Sequence, residues 1–135
     1  MPISYELDRA ASVIRTRCYG ELKLAEVLDH FRQLRAEPDL PQHLDVFLDL
    51  RDSSLVPTAK QIEAASGGPG VLNGVLCFRY CSIVADRPAL YGMARMWGIL
   101  VERFFAEVNV FRTTEEADAW LNERRKPKPM GRVGR

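Results

Sequence analysis

The chain has little cysteine, little histidine and no long apolar run, and each shortage removes a class of protein. Its three cysteines, Cys18, Cys77 and Cys81, do not make a disulfide framework. Cys77 and Cys81 stand four positions apart in what reads as a strand, a span of roughly 13 Å against a Cα limit of ~7 Å for a bridge. Reduced thiols follow. His30 and His43 are the only histidines, and neither has a partner ligand at zinc spacing, so no metal site is expected. No apolar stretch approaches the roughly 18–20 residues of a membrane span. The opening MPISYELDRA also lacks the apolar core of a signal peptide. A cytoplasmic location without integral membrane association is the expectation.

Motifs that carry chemistry are equally sparse. The glycine-rich GGPGVLNG (67–74) lacks the lysine and the preceding strand of a phosphate loop. No serine stands in a nucleophile elbow, and the two histidines lie around the first predicted helix and its exit, away from any evident nucleophile. The chain therefore reads as no enzyme and as needing no cofactor. Charge excludes a further class. Net charge is +1, but four positive charges sit in the tail KPKPMGRVGR (126–135), which leaves a mildly acidic body without a basic stripe. No nucleic-acid binding is expected. The Pro/Gly/basic tail has no apolar surface to bury and is expected to be disordered.

What is present is an alternation of strand and helix patterns. ISYELD and SVIRTRCY read as strands joined by the turn signal DRAA, an antiparallel hairpin. LKLAEVLDHFRQLRAE places Leu24, Val27, Leu28, Phe31 and Leu34 on one helical face, and Pro38 and Pro41 end it. DVFLDL is a continuous apolar run, as in a parallel strand covered on both sides. PTAKQIEAAS follows as a helix with Thr58 and Gln61 at capping-box spacing. CFRYCSIVA is another buried strand with Arg79 as its odd member, then come a long helix, the short strand VNVFR, and a last helix opened by Thr113 and Glu116. Ala117, Trp120 and Leu121 form the buried stripe of that helix. The order is ββαβαβαβα, which implies an α/β domain with a mixed, mostly parallel five-stranded sheet in near-sequential order. One domain over 1–125 and a tail over 126–135 are expected.

The order of elements, VFLDLRDSS after the second strand, IVADRPALYGMARMW and the closing VFRTTEEADAWL together resemble the SpoIIAA-like family, which is related to STAS domains and to the lipid-binding Sec14 (CRAL-TRIO) fold. The similarity runs over roughly residues 3–123, with YGMARM and EADAWL its most specific pieces. It implies a single layered α/β domain, frequently a homodimer, acting as a binding or regulatory module. Through STAS regulators it also implies a phospho-switch of the anti-sigma-antagonist type at Ser53 or Ser54. DLRDSS departs from that pattern: the serines follow the strand closely, Leu55 stands where glycine is expected, and the helix cap lies further on at Thr58. The Sec14 side implies a carrier or sensor of a small apolar or lipid-like ligand.

Two further sets of residues follow from position. Parallel sheets bind ligands beyond the carboxyl ends of their strands. Those ends supply Asp49, Arg51, Asp52 and Ser53, then Asp86 and Arg87, then Arg112 and Thr113. This is a candidate anion or ligand site, with mutual salt bridging as the plainer reading. YGMARMWGILVERFF (91–105), rich in methionine and aromatics, is the other. Wound as a helix over 90–107, it turns Leu90, Met93, Ala94, Trp97, Leu100, Val101, Phe104 and Phe105 toward the sheet as core. Gly92, Met96, Ile99 and Arg103 remain on the far side as a candidate dimer face.

Overall fold

A computed structural model describes residues 3–54 and 57–126. Strands β1 (Ile3–Asp8), β2 (Val13–Gly20), β3 (His43–Ser53), β4 (Cys77–Val84) and β5 (Glu107–Phe111) form one sheet in the order β1-β2-β3-β4-β5. The β1–β2 pair is antiparallel, with Tyr5 opposite Thr16, and the other three pairings are parallel. The expected α/β class with a mixed, mostly parallel sheet is therefore observed. The tail from residue 127 onward, and Leu55, lie outside the described residues.

Helices α1 (Leu24–Arg35), α2 (Ala59–Ala65) and α3 (Pro88–Val101) connect successive parallel strands. Right-handed crossovers that always step in one direction place their helices on one face of a sheet. The packing agrees: Leu34 of α1 packs with Ile14 and Leu44, and Leu90 and Ala94 of α3 pack with Ile83 and Val110. Helix α4 (Thr114–Arg125) follows the last strand and packs on the opposite face, where Ala117 and Leu121 meet Val13, Phe47 and Val84. Ser82, fully buried on that face, donates from Oγ to the Ala117 carbonyl at 3.0 Å, so its hydroxyl is not stranded under the helix.

The helix starts follow local chemistry. Thr58 Oγ1 accepts from Gln61 N at 3.2 Å while Gln61 Oε1 accepts from Thr58 N at 2.8 Å, the reciprocal box the spacing predicts. Thr113 caps α4 through Glu116 N, but the Glu116 carboxylate meets the Thr113 hydroxyl rather than its backbone N–H. At α1, Glu26 accepts from Lys23 N at 2.9 Å.

Three boundaries differ from the sequence reading. Strand β3 runs past the DVFLDL run through Arg51, Asp52 and Ser53, because Tyr19 and Gly20 continue to pair with Asp52 and Ser53. Helix α3 stops at Val101 and gives way to a 3-10 turn over Glu102–Phe104, so Phe104 and Phe105 do not extend its apolar arc. A second 3-10 turn, Gly68–Leu72, fills the stretch before β4. At Gly68 a Cβ would lie 2.5 Å from the Phe31 ring, and only glycine lets α1 settle there. Gly98 serves α3 similarly, since a Cβ would sit 3.1 Å from Val108 and force it to give.

Candidate functional site

The apolar face expected of α1 is not packed on the sheet along its whole length. Leu34 is buried, but Val27, Leu28 and Phe31 are half-buried and Leu24 is exposed. The same holds for Met93 and Trp97 of α3, which the helical arc assigns to the core. The reason is a cavity of about 300 Å³ between the sheet and the α1–α2–α3 layer. Val27, His30 and Phe31 come from α1, Gln61, Ile62 and Ala65 from α2, and Leu90, Met93, Ala94 and Trp97 from α3. Ile3, Thr16, Cys18, Leu48, Leu50 and Ser53 form the sheet wall. Its exposed margin carries Glu21, Lys23 and Gln61 beside the apolar Leu24, and it lies where β2 and β3 end. This is the carboxyl edge at which parallel sheets present ligand sites, and the volume reaches the lower end of the ~300–1,000 Å³ usual for small-molecule pockets.

Most of the wall is aliphatic or aromatic, so its few polar groups define what it can recognise. His30 stacks edge-on against Tyr5 and Phe31, with ring centroids 5.3 and 5.1 Å away. Burial pushes its imidazole down to about 4, and no hydrogen bond contributes. The ring is neutral near pH 7. Tyr5 is not free, because its hydroxyl donates to Glu37. Burial and that hydrogen bond push the phenol up to about 12. Burial, aided by the charge on Asp49, raises the Cys18 thiol to about 12, so this cysteine is an inert part of the wall rather than a nucleophile. Among the described residues no three His, Cys, Asp or Glu side chains converge as metal ligands, and no helix is long and apolar enough to cross a membrane.

The charged residues suggested by strand ends mostly lie elsewhere. Arg51 donates to Asp49 at 2.8 and 3.0 Å, and Arg17 donates to Asp52 at 2.8 Å. Burial raises the Asp49 carboxyl, but the side-chain and backbone hydrogen bonds from Arg51 outweigh it and hold the group below the usual range. Asp49 and Arg51, with Arg15 and Arg17, line an open depression on the α4 side of the sheet, away from the cavity. Arg87 donates to the Ser53 carbonyl, and Arg112 lies over the Tyr91 ring at 4.3 Å. Asp86 is exposed. Of this set only Ser53, 8% exposed, reaches the cavity wall. Ser54 is exposed at the end of β3, and its N–H donates to the Gly20 carbonyl.

On the outer side of α3, Gly92 is exposed, Met96 is half-buried and Ile99 is 64% exposed. Arg103 belongs to the following 3-10 turn and covers Phe104 at 4.7 Å. Glu107 is held by Arg124 at 2.7 Å. The sequence reading missed His30, Thr16, Cys18 and Leu50 as cavity residues. No motif marks them, and the one available signal was that α1 and α3 both carry apolar faces rich in bulky side chains.

No family model matches the chain, and no curated protein matches it.

Proposed function

We propose that this chain is a non-enzymatic binding module of the SpoIIAA-like type, related to STAS and Sec14 domains, that carries or senses a small apolar ligand in the cavity between its sheet and α1–α3. One observation carries the reading: an apolar cavity of about 300 Å³ kept under three helices, where a domain serving only as a docking surface would pack its core closed. Native mass spectrometry of the protein purified from cells, followed by solvent extraction, tests it. A retained small molecule at one per chain is expected. A ligand-free chain whose melting temperature is unmoved by apolar probes such as naphthalene overturns it.

A second reading concerns assembly. Ile99 at 64% exposure beside Gly92 favours a homodimer through the outer side of α3. It is compatible with ligand binding, because the cavity opens on the other side of the same helix. The phospho-switch has less in its favour: Ser53 is buried in the cavity wall, which leaves Ser54 as the accessible hydroxyl.

A further inference from the structure

The cavity has a polar end as well as an apolar lining. Thr16 is opposite Tyr5 in the β1–β2 register, and His30 lies against the Tyr5 ring. Thr16, at 5% exposure, and His30 both line the wall, and each neighbours Tyr5. Among the described residues neither side chain has a hydrogen-bond partner, and neither carries a sealed orphan atom, a state found at Arg87 Nε instead, so both polar groups stand open to the cavity. A hydroxyl and a half-buried imidazole open to a void have hydrogen bonds to offer whatever fills it.

Charge narrows the class. His30 is neutral, and Glu37, which Tyr5 reaches, is engaged with Tyr5 and Arg9. The cation of the lining, Lys23, is at the exposed margin. A ligand carboxylate buried beside His30 and Thr16 would have no cation to meet it, at a desolvation cost of several kcal/mol. A hydroxyl or carbonyl carries no such cost, because neutral imidazole and threonine hydroxyl can each donate and accept. Size narrows it further. A dry cavity of about 150 Å³ holds benzene, so twice that volume takes roughly a dozen non-hydrogen atoms. A two-chain phospholipid is far too large.

We propose that the cavity selects a small neutral amphiphile whose hydroxyl or carbonyl group is buried against His30 and Thr16, with its apolar part along Met93 and Trp97. The inference rests on the cavity reading above and adds the chemistry of the ligand's head.

Octanol, octanoate and naphthalene serve as probes. Binding is read by Trp97 fluorescence in a Trp120→Phe background and by histidine-ring NMR on the unaltered chain, where His43 is an exposed internal control. Octanol should bind and shift the His30 resonances but not those of His43. His30→Phe and Thr16→Val should each weaken octanol roughly tenfold while leaving naphthalene within about twofold, as loss of one buried hydrogen bond requires. Should His30→Phe fail to fold, Thr16→Val and the NMR shift still decide. Equal effects on octanol and naphthalene, or a His30 signal that octanol does not move, would overturn the polar recognition and leave the cavity reading standing. Octanoate binding as tightly as octanol, with protonation of His30, would overturn the neutral head. Failure of both octanol and naphthalene to bind would remove the cavity reading itself, and this inference with it.

Discussion

Arg125, at the end of α4, places its guanidinium 3.2 Å from the carboxylate of Asp45, eighty residues earlier in β3. Asp45 is fully buried and also accepts from Arg79 at 2.9 Å and from the backbone N–H of Tyr80 at 3.1 Å. Arg125 donates in addition to the Ala11 carbonyl. One carboxylate thus joins the last helix, the β1–β2 connection and two central strands.

Asp45→Asn should be strongly destabilising, because it strips charge from a buried acceptor while two arginines stay aimed at it. Removing one partner from a buried pair costs about 3–5 kcal/mol. Arg79 is 42% exposed on its side chain and can regain water, so the lower end applies. Urea unfolding should show a loss of about 3 kcal/mol at unchanged slope. A loss below about 1 kcal/mol would mean that the cluster contributes no more than a surface pair.

The same contact sharpens the boundary of the folded body. Deleting residues 126–135 should move the melting temperature by no more than about two degrees, since the tail has little to bury. Deleting one residue more, Arg125, removes hydrogen bonds to Asp45 and Ala11 and should cost about 1–2 kcal/mol. Two truncations with equal thermal curves would contradict the role given to Arg125.

These contrasts mark how far the sequence could be read. Strand and helix patterns disclosed the element order, because apolar runs such as DVFLDL and CFRYCSIVA alternate with helical spacing along the chain. Sequential order then placed three helices on one face. The Asp45–Arg79–Arg125 cluster was hidden, since strand register brings it together across the whole chain. The cavity was hidden for a subtler reason. Val27, Phe31, Met93 and Trp97 recur at helical spacing whether they close on a sheet or stop short of it, and periodicity reports direction rather than distance. The apolar run DVFLDL stops at Leu50 and so understates the strand, whereas neighbouring β2 extends far enough to hold Arg51 to Ser53 in the sheet.

Filling the cavity should separate binding from folding. Ala65 lines it and is half-buried, so Ala65→Leu adds apolar volume without displacing packed atoms. Naphthalene binding should fall at least tenfold, with stability unchanged or raised by about 1 kcal/mol. Unchanged binding would place the ligand elsewhere. Gly68→Ala acts from the other side, pushing the Phe31 ring from its seat at a cost of about 1–3 kcal/mol.

The assembly reading is tested best at Ile99. Met96 is half-buried, so a charge there would disturb packing as well as any interface, whereas Ile99 is 64% exposed. Ile99→Glu should leave the fold intact and shift a dimer toward monomer in sedimentation across a concentration series, because a two-fold contact sets the two new charges against each other. An unchanged dimer rules out this side of α3, and a monomeric parent chain removes the dimer.

His30 should make the protein acid-sensitive well above the carboxylate range. Its folded value is pushed down to about 4 from an ordinary 6.5 by burial alone. Between those values the unfolded chain binds a proton that the folded chain refuses, so unfolding takes up protons and stability rises with pH. The stability present above pH 6.5 is lost as the pH falls toward 4, and below that both states are protonated and the slope ends. Glu37 and Asp49, held below their ordinary values of 4.5 and 3.8, add their losses only under the lower part of this range. The window from about 4.5 to 6.5 therefore belongs mainly to His30, and the expected loss across it is about 2 kcal/mol, allowing for a half-buried ring. Urea midpoints measured at several pH values should show that slope in the parent chain and its disappearance in His30→Phe. Bound octanol should lower the apparent His30 value further, since a hydrogen-bonded neutral head fills the space that water would need in order to solvate the imidazolium. A slope that survives His30→Phe would assign the proton to another group.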